Sequence, residues 1–139
     1  MKRDERHVRG QSLVEFALVV PIFLVLLFGM VEFGRAWMTK NILTGAAREA
    51  VREYAVGALT VPPYDNSVTG EAYKRAVEIL TSAGLDSARW DIKLYVDPVD
   101  KNQMRADVKY NFPVIIVGFI PGLPSNNIPL ATSTTMRKE

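Results

Sequence analysis

Residues 13–31 read LVEFALVVPIFLVLLFGMV, nineteen positions in which Glu15 is the only charge. At about 1.5 Å per residue this stretch reaches roughly 28 Å, close to the hydrocarbon thickness of a bilayer. A membrane-spanning helix is therefore the leading expectation. It concentrates part of the chain's 48% apolar content near the N-terminus and leaves about the last hundred residues for a globular unit. A unit of that size buries roughly 60–65% of its unfolded surface, enough for a modest core without staples.

The charge pattern supplies an orientation. Lys2, Arg3, Arg6 and Arg9 precede the apolar run, and only Arg35 and Lys40 follow it closely. The positive-inside bias places residues 1–10 in the cytoplasm and the C-terminal part across the membrane. Beyond residue 10 the chain carries equal numbers of basic and acidic residues, so the pI near 9.0 reflects the leader, and no nucleic-acid partner is expected. A cleaved signal peptide is a competing reading, with Gly34-Arg35-Ala36 as a small-x-small site, but the apolar stretch is longer than such peptides use and Glu15 interrupts it. A plain signal anchor explains the span without explaining the acid. A carboxylate at this depth costs up to about 3 kcal/mol, so it calls for a partner. Cutting the chain after Gly10 would create one: the new α-amino group at Gln11 lies one helical turn from Glu15.

The segment Gly10-Gln11-Ser12-Leu13-Val14-Glu15-Phe16 resembles the G-x-x-x-x-E-F processing site of type IV pilin-like proteins, placed between a short charged leader and a retained apolar helix. More narrowly, the leader, the helix EFALVVPIFLVLLFGMVEFGRAW, a small α+β tail and the ending ATSTTMRKE resemble the TadE-like pseudopilins of Tad (tight adherence, Flp-type) pilus systems. The resemblance implies cleavage by a prepilin peptidase after Gly10, with Gln11, Glu15 and Phe16 completing the processing site, and a role in pilus biogenesis. It also implies pilin-like subunits, inner-membrane assembly proteins and membrane lipid as partners, and an inner-membrane location. Gln11 departs from the Phe common at that position in type IVa pilins. Within the span, Pro21 removes a backbone hydrogen bond, and Gly29 and Gly34 permit close approach of another helix. Together with Glu15 they are the expected packing positions.

Past residue 31 the pattern turns amphipathic, with Phe33, Trp37, Ile42, Ala46, Ala50 and Tyr54 recurring at helical spacing. The helix is expected to continue to about residue 56, with its membrane part over residues 12–33 and Phe33 and Trp37 near the outer interface. Arg48, Glu49, Arg52 and Glu53 read as a solvated face. Gly57 and Pro62-Pro63 end the helix, and residues 57–69 read as a linker. The remainder, 70–139, reads as a small extracytoplasmic α+β domain. It has a short helix with Thr69 as N-cap and Gly84 as terminator, a hairpin of 90–97 with 104–112, and a third strand near 130–136 confined to an edge by Pro129. The helix is expected to cover the apolar face of the sheet. The apolar segment 113–124 is either a buried strand extension or loop packed on the long helix, or an exposed contact patch for a partner or the membrane surface through Val114, Ile115, Ile116, Phe119 and Ile120.

Chemistry is sparse. The one histidine, His7, lies in the leader, cysteine is absent, and no nucleophile elbow or phosphate-cradling loop occurs, so neither enzyme activity nor a cofactor is expected. Asp97, Asp100 and Asn102 form the one cluster with the oxygen donors a calcium site uses, but their spacing is not that of an EF-hand and Lys101 is adverse; a solvated β-turn is the favoured reading. The principal expectation is an assembly pseudopilin. The runner-up is a membrane-anchored extracytoplasmic binding module.

Overall fold

A computed structural model describes residues 5–57, 70–115 and 127–137. The chain is α+β. One helix, α1 (Glu5–Gly57), is followed by α2 (Glu71–Ser82), a short 3-10 turn (Ser87–Arg89), and three strands: β1 (Trp90–Val96), β2 (Gln103–Pro113) and β3 (Asn127–Arg137). The strands form one antiparallel sheet in the order β1-β2-β3.

At about 1.5 Å per residue, the 53 residues of α1 extend roughly 80 Å. The helix starts before Gly10 and runs through Pro21 to Gly57. A glycine costs only about 1 kcal/mol within a helix, so Gly10 does not interrupt it. In its first part the side chains are exposed: Phe16, Leu18, Ile22, Leu26 and Met30 are all open, and none of the most apolar 18-residue window is buried by the rest of the protein. From Thr39 onward one face closes, and Leu43, Ala46, Ala47, Ala50, Val51, Tyr54 and Ala55 are buried.

These seven are among the eighteen core residues of a single cluster, which also takes Ala72, Ala76 and Leu80 from α2, Ile92 and Leu94 from β1, and the alternate residues Met104 to Phe112 of β2, continued by Val114. The buried face of α1 is wider than the stripe Ile42, Ala46, Ala50 and Tyr54 alone would make, because Leu43, Ala47 and Val51 belong to it as well. That width lets α1 pack on α2 and on the sheet at once. α1 lies against α2, β2 and β3, whereas α2 meets the sheet only lightly, at β1. The apolar face of the sheet is thus covered chiefly by α1, not by the short helix. α2 fully buries only Ala72, Ala76 and Leu80, with Tyr73, Val77 and Ile79 partly buried beside them, and its alanines suit close approach to those of α1.

Alternation along β2 matches the sequence pattern, with Met104, Ala106, Val108, Tyr110 and Phe112 all inward. β3 is an edge strand that carries Pro129 opposite Asn111, and its half-buried inner residues Leu130, Thr132 and Thr134 face α1. There the Lys40 ammonium donates to the Ala131 carbonyl, and the Thr44 and Thr132 hydroxyls lie 3.3 Å apart. The cap of α2 falls at Gly70, not Thr69, and without a side-chain hydrogen bond. Its other end closes as expected at Gly84, whose φ of +73° allows Leu85 N to reach the Leu80 carbonyl and Gly84 N the Thr81 carbonyl. Thr69 and most of the 57–69 linker lie outside the described residues.

Because α1 supplies so much of the core, a fragment spanning residues 36–139 is expected to unfold cooperatively on heating. One spanning 70–139 should lack a cooperative transition, having lost Leu43, Val51 and Tyr54, each worth roughly 1.5–3 kcal/mol of burial. Circular dichroism melts of the two fragments provide the check.

Candidate functional site

Gly10, Gln11, Val14, Glu15 and Leu18 share one exposed surface of α1. The Gly10–Gln11 bond is therefore accessible but helical, and a hydrolase reaching it must first unwind a turn, which glycine makes easier. Phe16 is 66% exposed. Glu15 and the Gln11 nitrogen sit one turn apart on an uninterrupted helix, the spacing at which side chains and backbone ends of successive turns meet.

Farther along, Pro21 stays within α1, and Gly29 and Gly34 face open space: a β-carbon built on either would meet nothing within 4 Å. No described part of the chain approaches these glycines, so any helix that uses them must come from another molecule. The apolar run ends in an ion pair, Glu32 with Arg35 at 2.8 Å, and the Arg35 guanidinium lies over the Phe112 ring at 5.2 Å. Phe33 and Trp37 stack with ring centroids 6.2 Å apart and stay exposed. This collar is where α1 enters the head.

The expected polar face of α1 is built as a local network. Arg52 donates to both carboxylate oxygens of Glu49, at 3.2 and 2.8 Å, and its hydrogen bond holds the Glu49 carboxyl below its ordinary value against the opposing effect of burial. Arg75 of α2 stands 3.9 Å from the same carboxylate.

The segment 113–124 is described only at its start. Just past the end of β2 at Pro113, Val114 is buried and Ile115 is 58% exposed. Ile116, Phe119 and Ile120 lie outside the described residues. In the β1–β2 turn the oxygen donors serve the backbone. Asp97 accepts from the amides of Val99 and Asp100, and Asp100 accepts from the Asn102 amide and the Gln103 side chain. Asn102 enters this turn through its backbone. Among the described residues no group of three or more His, Cys, Asp or Glu side chains could hold a metal ion.

One cluster had no motif to announce it. On the outer sheet face, the Tyr95 hydroxyl donates to Asp107 at 2.7 Å, while Arg105 Nε donates to Asp107 at 3.2 Å and to the Ser133 hydroxyl at 2.9 Å. Tyr95 pairs with Arg105 and Asp107 with Ser133 in the register, so the cluster is made by neighbours across three strands. Burial alone would raise the Asp107 carboxyl, but the hydrogen bonds from Ser133, Tyr95 and Arg105 outweigh it and hold it below the ordinary value. Burial, then the contact with Asp107, pushes the Tyr95 phenol up. The geometry ties β1, β2 and β3 together on the solvent side.

Because the Asp107 carboxyl is depressed in the folded protein, its contribution is complete above the ordinary carboxylate range and is lost as pH falls below about 4. Asp107→Asn is expected to destabilise the head by about 1–3 kcal/mol at pH 7, with a smaller gap to wild type at pH 3. Thermal melts at the two pH values measure it.

Residues 10–52 match the family model of TadE-like protein. The match spans about a third of the chain, starts at Gly10, and ends inside α1 before α2 and the sheet. No curated protein and no solved structure matches the chain.

Proposed function

We propose that this chain is a TadE-like pseudopilin: inserted with its N-terminus in the cytoplasm, cut after Gly10 by a prepilin peptidase, and assembled with pilin-like subunits through the exposed part of α1 in a Tad-type pilus system. The observation that carries the reading is the division of α1 into a buried part and a bare one. Its apolar window has mean hydropathy 2.6 and no protein cover, while the continuation of the same helix is the centre of the head's core. Such a helix needs lipid on one side of a biogenesis pathway and other apolar helices in an assembled fibre, and a pilin-like subunit uses both. The family match over residues 10–52 supports the same reading, since it covers this helix and starts at the proposed cleavage residue.

Cleavage places a cationic amine on Gln11, one turn from Glu15. In low dielectric the pair neutralises two charges that would each be costly alone, within one subunit or between staggered neighbours. Glu15 then acts in assembly, not in insertion, because a single acid near the end of the run leaves sixteen uncharged residues, Phe16 to Val31, to cross the bilayer. The reading assigns no catalysis to the chain.

Co-expression with a prepilin peptidase, followed by intact-mass measurement, is expected to show a chain beginning at Gln11; retention of Met1, or a new N-terminus at Trp37, would overturn the processing step. Glu15→Gln is expected to leave membrane insertion intact while abolishing co-purification with pilin-like partners. Unchanged co-purification would remove the assembly role from Glu15.

A further inference from the structure

We infer that the end of the head formed by the close of β2 and the start of β3 is a second membrane contact, seated on the lipid surface through Ile115 and Ile128. The inference rests on the reading of α1 as a membrane span, and it concerns a part of the molecule outside the family match.

The depth follows from α1. The apolar run 13–31 is centred on Ile22, and half a hydrocarbon core, about 15 Å, is about ten residues of helix, so the core boundary falls near Glu32. The head-group layer adds roughly 5–8 Å, or three to five residues, and so takes in Phe33, Arg35 and Trp37. Arg35 fixes the sheet relative to this level, since its guanidinium lies over the Phe112 ring at 5.2 Å. Phe112 pairs with Ile128, and Pro113 with Asn127, so both ends of the β2–β3 connection sit at the height of Arg35. Arg89 reaches the same level, donating to the Asn127 side chain at 3.2 Å.

What the head presents there is apolar. Ile115 is 58% exposed and Ile128 is 49% exposed, a poor use of two isoleucines in water and a favourable one against acyl chains. No charged residue occurs at 110–115 or at 127–136, so nothing on the two described strand ends opposes contact with a bilayer. Arg35, Arg89 and Lys40 are the nearby cations and Glu32 and Asp86 the nearby acids, a balance suited to a lipid phosphate layer. The opposite end of the sheet is built differently. Its turn is polar, and Val99 there lies beyond Met104, about 27 Å along β2 from Phe112. A head fixed on the continuous helix α1 tilts with that helix, and a second contact sets the tilt.

The chain has no cysteine, so a single introduced thiol can carry a nitroxide label without background. Full-length protein with Ile115→Cys, Ile128→Cys, Phe33→Cys or Val99→Cys would be labelled and reconstituted in phosphatidylethanolamine–phosphatidylglycerol vesicles. Collision with oxygen and with a water-soluble nickel chelate would then be compared by electron paramagnetic resonance. The expected result is an oxygen-to-nickel ratio several-fold higher at 115 and 128 than at 99, and close to that at 33. If 33 reads as lipid while 115 and 128 read like 99, the second contact is overturned and the span stands. If 33 also reads as aqueous, the span itself fails and the inference fails with it.

Discussion

The packing of residues 39–55 of α1 between α2 and the sheet is the contact on which the head depends, because α2 and the strands make little contact with each other. Remove α1, and α2 keeps a narrow alanine stripe while the sheet exposes Met104, Val108, Tyr110 and Phe112 on one face. The head is thus a covering assembled around the end of a helix. Anything that pulls or rotates α1 in a membrane or a fibre acts directly on the core, with no linker between the anchoring part and the packed part.

That continuity gives the bare part of α1 its meaning. An apolar helix surface of this size is not left in water by a stable monomer. With Gly29 and Gly34 facing open space and Glu15 the one charge in the apolar run, the surface offers close approach for another helix. Lipid and neighbouring helices are two ways of covering the same face. The Glu32–Arg35 pair and the Phe33–Trp37 stack mark the level at which the bare part of α1 ends and the head begins.

The outer sheet face shows how a small head without disulfides keeps its strands together. Hydrogen bonds among Tyr95, Arg105, Asp107 and Ser133 bind all three strands on the side that α1 does not cover. The edge strand β3 gains most, since it has one β neighbour and carries a proline; Lys40 and Thr44 of α1 hold its inner face.

Much of this was legible in the sequence, for a physical reason. The apolar run, the strand alternation, the Gly84 stop and the edge position imposed by Pro129 depend on periods and on backbone restrictions that neighbouring residues impose, so they can be read without knowing what packs where. The Gly10–Phe16 pattern is likewise linear, and the family match begins at its first residue. What covers what could not be read in this way. Both α1 and α2 have apolar stripes, and only the assembled core shows that the wider one, through Leu43, Ala47 and Val51, takes the sheet. The Asp107 cluster depends on strand register, which joins residues far apart in sequence. The placement of the β2 and β3 ends beside Arg35 depends on one tertiary contact, Arg35 over Phe112. Local chain chemistry determined the elements and the anchor; the competition among apolar faces for burial, decided only when they meet, determined how the head sits on its helix.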